Sequence, residues 1–257
     1  MVGLDDFFRM RVPDADFSEL LLFNGDLHII DGQVADMCSA TPRIELVHVQ
    51  EFMEFEGSEV MVDLSSESEA VRASSVDIVC RTRDVADSLG CRMVVIHPGG
   101  IHSSRVDRSI LLENLKRSLA DLGPENLLLE NMPWYYWYRK EEQMVSNICV
   151  SIEDMKLVQD LVDGFTLDMC HGYLSRPEGD EGYNRRFIET FGQDVLHIHA
   201  SDAKAPDREG LQIGEGEVDF SILGGSGVPV LVEIWNGHVN DGEGFRIGIE
   251  RLREMFR

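Results

Sequence analysis

A chain of 257 residues with 43% hydrophobic content can bury a full core, and one domain over residues 1–257 is expected. Its 47 acidic residues outweigh 23 basic ones, and the formal charge of −24 repels polyanions, so nucleic acid is a disfavoured partner. No apolar stretch is long enough for a membrane span and the N-terminus lacks the apolar core of a signal peptide, so a cytoplasmic location without membrane association is expected. Cys38, Cys80, Cys91, Cys149 and Cys170 are scattered without a CxxC pair, which argues for reduced thiols rather than disulfides or a zinc knuckle.

Leu20 to Phe23 and Ile44 to Val47 read as the first clear strands, the second ending at His48. Little chain precedes Leu20, so a β/α unit there would be short or degenerate. Ser66 and Glu69 form a capping-box pattern ahead of Val71, Ile78, Val85 and Leu89, and Gly90 stands where a helix terminates. Met93 to Ile96 follows as a strand. Leu111, Leu112, Leu115, Leu119 and Leu122 then recur at helical spacing before Gly123-Pro124. After the strand Leu127 to Leu129, Ser151 caps a segment carrying Met155, Val158, Leu161 and Val162 before Gly164. Phe165 to Leu167, Val195 to Ile198 and Val228 to Val232 are further strands, and Phe245, Ile249, Leu252 and Phe256 mark a C-terminal helix.

Strands that alternate with helices, each strand apolar on both faces, predict a parallel α/β fold. His97, Glu130, Asp168, His199 and Glu233 all stand at strand C-termini, one per strand-helix unit. In a (β/α)₈ TIM barrel those ends form one rim, where active sites are built. Carboxylate and imidazole together suit a divalent ion such as Mn²⁺, Zn²⁺ or Co²⁺, with Mg²⁺ also accepting oxygen ligands. A single polar residue at a strand end needs no ion. Several buried together are costly unless a shared cation explains them, and Glu130, Asp168, His199 and Glu233 are the expected ligands.

His197 shares a strand face with His199 and is expected in a lower barrel layer. Lys204, in a lysine-poor chain, fits a substrate phosphate or carboxylate and equally a surface salt bridge. The run Trp134 to Tyr138 leaves the Glu130 strand and suits either a substrate-binding cover led by Trp134 or a contact between subunits of a homo-oligomer.

The segments Ile96-His97-Pro98-Gly99, Leu129-Glu130-Asn131, Leu167-Asp168-Met169-Cys170-His171, His199-Ala200-Ser201-Asp202-Ala203-Lys204, Ile213-Gly214-Glu215-Gly216 and Val232-Glu233 resemble, in order, the motifs of the xylose isomerase-like barrel superfamily. That superfamily includes sugar isomerases, sugar epimerases and endonuclease IV. The resemblance implies Glu130, Asp168, His199 and Glu233 as shared metal ligands, His48 and His97 as holders of an accessory ion, and His171 as a substrate hydroxyl partner. Endonuclease IV places an Asp-x-His pair before its Gly-x-Gly turn. Here Asp207-Arg208-Glu209 stands in that stretch with no histidine, and Glu51 follows His48 where an acidic group would face a phosphate backbone unfavourably.

The leading expectation is a metal-dependent sugar or sugar-phosphate isomerase or epimerase, with Glu130 and Glu233 moving a proton through an enediolate. The rival is an endonuclease IV-like phosphodiesterase acting on abasic DNA, and a third reading is a barrel that binds metal and ligand without turnover.

Overall fold

Eight parallel strands lie side by side in chain order: β1 (Val2–Gly3), β2 (Ser18–Leu21), β3 (Ile44–His48), β4 (Met93–Ile96), β5 (Leu127–Glu130), β6 (Gly164–Asp168), β7 (Val195–Ala200) and β8 (Val230–Val232). The structure is a computed structural model that describes residues 1–7, 15–28, 30–39, 42–138 and 142–257. The Met1 amine donates to the Val232 carbonyl at 3.3 Å, which brings the first strand to the last and nearly closes the barrel. Of the first unit the described residues comprise two residues of strand and one helical turn, Leu4–Phe7, and residues 8–14 lie outside them. β2 begins and ends two residues before the apolar run suggests, leaving Phe23 54% exposed beyond it.

Helices Glu69–Leu89, Arg108–Leu122, Tyr183–Phe191 and Val239–Met255 cover the barrel. The first starts later than the Ser66 pattern predicts. Ser68 is its cap, accepting from the Val71 amide at 3.4 Å, while the Ser66 hydroxyl accepts from the Ser68 amide at 3.3 Å and so shapes the turn ahead of the helix. Gly90 closes it at φ 70°, a left-handed position that glycine adopts without penalty. Ser151 caps only a short helix, Ile152–Lys156, and between β7 and β8 a single 3₁₀ turn, Phe220–Leu223, replaces a helix. No helix among the described residues is long and apolar enough to cross a membrane.

Side chains alternate between the two faces of each strand, and that period divides the core. Val47, Val94, Ile96, Leu127, Leu129, Phe165, Leu167 and Ile198 join the large cluster between strands and helices, whereas Leu46, Val95 and Leu128 form a separate small cluster on the other face, inside the barrel. Two residues further along the same face of each strand come His48, His97 and Glu130. Asp168 lies beside His199 across β6 and β7 in the same register. The residues at the rim therefore stand above a layer that is apolar at Leu46, Val95 and Leu128 and polar at Glu19 and His197. Loops leaving the C-terminal ends form three antiparallel additions: Phe52–Phe55 with Ser58–Met61, Tyr135–Tyr138 with Glu142–Ser146 and Ile101–His102, and Asp202–Lys204 with Arg208–Leu211.

Candidate metal centre

Glu130 is the hub of the rim. Its Oε1 lies 3.1 Å from His171 Nδ1 and 3.6 Å from His97 Nε2, and its Oε2 lies 3.3 Å from His48 Nε2 and 3.5 Å from His199 Nδ1. Glu130, Asp168 and His199 each offer one atom, all within 4.8 Å of one another, and His48, His97 and Glu130 do the same. Glu233 extends past β8 and brings its Oε2 to 2.8 Å from His199 Nδ1. Neither of those two buried atoms makes a hydrogen bond of proper geometry. Two orphaned donor-capable or acceptor atoms aimed at one space are what ligands of a shared cation look like, and the carboxylate and imidazole set suits a borderline divalent ion.

The neighbouring groups are fixed by short local bonds. The Asn131 amide bridges β5 and β6, donating to the Asp168 carbonyl at 3.0 Å and accepting from the Asp168 amide at 2.8 Å. Asp168 caps the helical turn Met169–Tyr173 by accepting the His171 amide at 2.6 Å, which turns His171 back toward Glu130. Asp202 gathers the amides of Ala203, Gly214, Gly216 and Val218 at 2.8–3.0 Å. A side chain at Gly216 would collide with Asp202 and the Ala203 backbone, so the Gly-x-Gly turn serves to fold this loop against the strand end.

Beneath the rim lies a residue the sequence reading missed. Glu19 on β2 is fully buried, and its Oε2 sits 2.7 Å from His197 Nε2 and 3.1 Å from His199 Nε2. A carboxylate on one imidazole nitrogen fixes the ring and leaves the other nitrogen, here Nδ1, directed at Glu130 and Glu233. Glu19 precedes the apolar run Leu20-Leu21-Leu22 in a stretch otherwise reading as a polar loop, so only the two-residue alternation of β2 marks it as inward-facing.

The charges in this cluster are set by one another. Burial opposes ionisation of Glu130, yet the charges of His199 and His97 and hydrogen bonds from His171 and His48 hold its carboxyl well below the usual range. Burial depresses His48, but the hydrogen bond and charge of Glu130 win and carry it up to about 9. Asp168 is pushed up to about 6 by burial, with His171 opposing and Glu130 and Glu233 adding to the rise. Burial likewise takes Glu209 up to about 8 against the pull of His171. Without an ion the cluster thus shares protons between carboxylates and imidazoles, and a divalent cation is the natural replacement for them.

A cavity of about 160 Å³ opens beside these groups. His48, His97, Glu130, Asp168, His171 and Glu233 line it, but Trp134 and Lys204 do not. Trp134 instead carries the Arg105 guanidinium 3.6 Å above its ring, because it precedes the strand that reaches the mouth. Lys204 sits on the outer hairpin, paired with Arg208. The aromatic cover consists of Tyr136 and Trp137 from the expected run, joined by Trp235. Trp137 Nε1 donates to the Asp207 carbonyl at 2.9 Å, and the Asp207 carboxylate is held by Gln143 Nε2 at 2.7 Å. Asp207 is therefore turned to the aromatic hairpin, while Glu209 lines the cavity 3.9 Å from His171. Glu51 lines it too. Arg139 and Lys140, the cations nearest the aromatic run in sequence, lie outside the described residues.

A parallel β/α barrel whose C-terminal rim gathers carboxylates and imidazoles around a small cavity defines a barrel with a candidate metal site, not yet a reaction. The model of the xylose isomerase-like TIM barrel family matches residues 33–255, and the chain belongs to that family. A probable endonuclease 4 from Thermotoga sp. (strain RQ2) is 28% identical over 159 residues, which cover 57% of this chain and 52% of the relative, so the match spans about half of that protein's length. Among solved structures, a D-tagatose 3-epimerase-like protein has a TM-score of 0.63 at 20% identity, covering 98% of this chain and 94% of the other. Endonuclease IV from Thermus thermophilus has a TM-score of 0.64 at 19% identity, covering 92% and 89%. Both of these structural likenesses are of fold alone, with an epimerase-like protein and a nuclease at nearly equal TM-scores, whereas the curated sequence relative is a probable nuclease.

Proposed function

We propose that this protein is a metal-dependent sugar or sugar-phosphate isomerase or epimerase that moves a proton at the carbon beside a carbonyl, through an enediolate of the substrate. One observation carries the reading: two carboxylates, Glu130 and Glu233, converge on His199 at 3.5 and 2.8 Å, both on the wall of the same small cavity. In this reading Glu130, Asp168, His199 and Glu233 hold the divalent ion, and His48 and His97 share Glu130 in a looser accessory site. When bound, the cation supplies Lewis-acid polarisation of the substrate carbonyl, which acidifies the adjoining C–H.

The two glutamates stand in different surroundings, as an acid/base pair requires. Glu130 is gripped through both oxygens by imidazoles, whereas the Glu233 side chain is 26% exposed, pairs with His199 and lies near the Met1 amine. Glu233 is accordingly the first proton acceptor, and Glu130 its counterpart. His171 orients a substrate hydroxyl beside Asp168, and Tyr136, Trp137 and Trp235 exclude water from the reacting carbon.

A second reading, the endonuclease IV-like phosphodiesterase, is favoured by the group His48, His97 and Glu130, which gives room for a second ion. Against it stand the diversion of Asp207 to Gln143 and the acidic lining at Glu51 and Glu209. Metal analysis beside a screen of sugars, sugar phosphates and abasic duplex DNA decides between them. Solvent deuterium entering a sugar, with Glu233→Gln abolishing it, supports the isomerase. Metal-dependent incision without sugar exchange refutes it.

A further inference from the structure

The aromatic cover leaves β5 as a hairpin, Tyr135–Tyr138 with Glu142–Ser146, and its two ends are held in different ways. At the base the bonds are largely buried. The Trp134 amide donates to the Leu174 carbonyl at 2.7 Å and the Ser146 amide to the Trp134 carbonyl at 3.2 Å. Asn147, itself buried, donates to the Gly100 carbonyl through both its main-chain amide and its side chain, at 3.0 and 3.2 Å. Arg105 stacks 3.6 Å above the Trp134 ring and donates to the Ser146 carbonyl at 2.7 Å. Further out, side chains of the hairpin meet the loops that follow β3 and β7, two strands that stand across the barrel from each other. Trp137 and Gln143 are cross-strand partners, so their side chains share one face, and both reach Asp207. Trp137 Nε1 donates to the Asp207 carbonyl at 2.9 Å, and Gln143 Nε2 to its carboxylate at 2.7 Å in a bond exposed to solvent. On the opposite face Tyr138 meets Phe52 edge-on with ring centroids 5.3 Å apart, and the Tyr136 hydroxyl meets Glu51.

A segment with a buried base and an exposed outer bond opens about the base, because local opening follows the least protected contacts. Tyr136 and Trp137 form part of the cavity wall, and the groups beneath them, His48, Glu130, Asp168 and His199, are nearly inaccessible to solvent. With the hairpin down the cavity is about 160 Å³, below the roughly 300–1,000 Å³ usual for small-molecule pockets, and lifting the hairpin enlarges it. We propose that this hairpin is a strap, hinged beside Trp134 and Asn147 and latched by Gln143 on Asp207, that releases to let a small molecule enter or leave the rim cavity. The inference rests on this cavity being the ligand site and on neither reaction, so it stands or falls apart from the sugar reading.

Two measurements on the purified protein test it. Hydrogen exchange read by mass spectrometry follows movement of the hairpin, and carbethoxylation of His171 by diethyl pyrocarbonate, a reagent of about sugar size, follows access to the cavity. His171 lines the cavity with its side chain 14% exposed, whereas His28 and His238 are exposed on the surface and report the reagent dose. Gln143 is exposed and outside the metal site, so Gln143→Ala removes the latch, and unaltered exchange in the helix Arg108–Leu122 verifies the fold. It should speed both exchange in the hairpin and modification of His171 by about five- to tenfold, the share of a local equilibrium that one such bond carries. Glu142→Ala, on the same strand with its side chain on the other face, should change neither. Hairpin exchange untouched by Gln143→Ala overturns the latch, and faster exchange with His171 modified no faster overturns the gate. Parallel acceleration of both in a protein that exchanges no sugar proton supports the strap while refuting the isomerase, so the two readings fail separately.

Discussion

Replacing Glu19 by Gln should weaken metal binding without touching a ligand. One carboxylate oxygen receives both buried imidazoles, His197 at 2.7 Å and His199 at 3.1 Å. Glutamine keeps the volume, and its amide oxygen can accept from both rings as the one carboxylate oxygen does, but the charge is removed. A bond to a charged group contributes about 1.5–3 kcal/mol and a neutral one about 0.5–1.5, so the bond that orients His199 should lose about 1 kcal/mol or more. The ring also becomes a weaker base at Nδ1. Carboxylates placed behind a ligating histidine typically account for about 10–100-fold in metal affinity, equivalent to about 1.4–2.7 kcal/mol, and a loss in that range is expected. Chelator competition would measure the affinity, and the visible spectrum of the Co²⁺ form would report the geometry of His199. His197→Asn is the control, since it removes the other hydrogen bond while leaving Glu19 charged and on His199. If Glu19→Gln binds metal as tightly as the unaltered protein, or if His197→Asn costs as much, Glu19 is barrel packing and the argument fails.

Glu130→Ala or Glu233→Ala should remove most of the metal from the purified protein, and plasma emission analysis showing unchanged content in both would sink the ligand assignment. His97→Ala should abolish only the weaker of two unequal binding steps in a metal titration, because His97 stands apart from Asp168 and Glu233; loss of every step would reverse the ranking. His48 is held up to about 9 in the metal-free protein against an ordinary 6.5, so its stabilising protonated pairing is fully present below about 6.5 and is lost as pH rises through 9. Metal must displace that proton, so calorimetry in buffers of different ionisation enthalpy should show proton release at pH 7, and the affinity at His48 should climb toward pH 9; pH-independent binding contradicts this. Abasic duplex DNA at moderate salt should not be incised measurably, as judged on denaturing gels.

The strand ends were legible because the barrel imposes one rule on every unit. Each inward position at the rim follows two residues after an inward position in the layer below, so an apolar run that stops at His, Glu or Asp announces both the strand and its polar end. That is why His48, His97, Glu130, Asp168 and His199 could be located from the runs Leu46-Val47, Val95-Ile96, Leu128-Leu129, Thr166-Leu167 and His197-Ile198. The helix Tyr183–Phe191 was not anticipated, although Tyr183, Phe187 and Phe191 recur every four residues and pack with ring centroids 5.9 and 4.6 Å apart. That period runs over only nine residues, too few for the pattern to stand out from the sequence alone.

What stayed illegible depends on contacts between distant loops. Nothing near Asp207 in sequence shows that Gln143 will take its carboxylate, and nothing near Trp235 shows that its amide will bond the Gly210 carbonyl at 2.9 Å. Gly210 permits that approach: its φ is 66°, and a side chain there would strike the Trp235 indole. Asp207 lies in the turn ahead of the strand Arg208–Leu211 and Glu209 lies within it, so the two carboxylates meet different neighbours, Gln143 for Asp207 and the cavity wall for Glu209. A motif read in sequence as a nuclease pair lacking its histidine is, in three dimensions, split between two tasks. Asp207 braces the aromatic cover, and Glu209 faces the cavity beside His171.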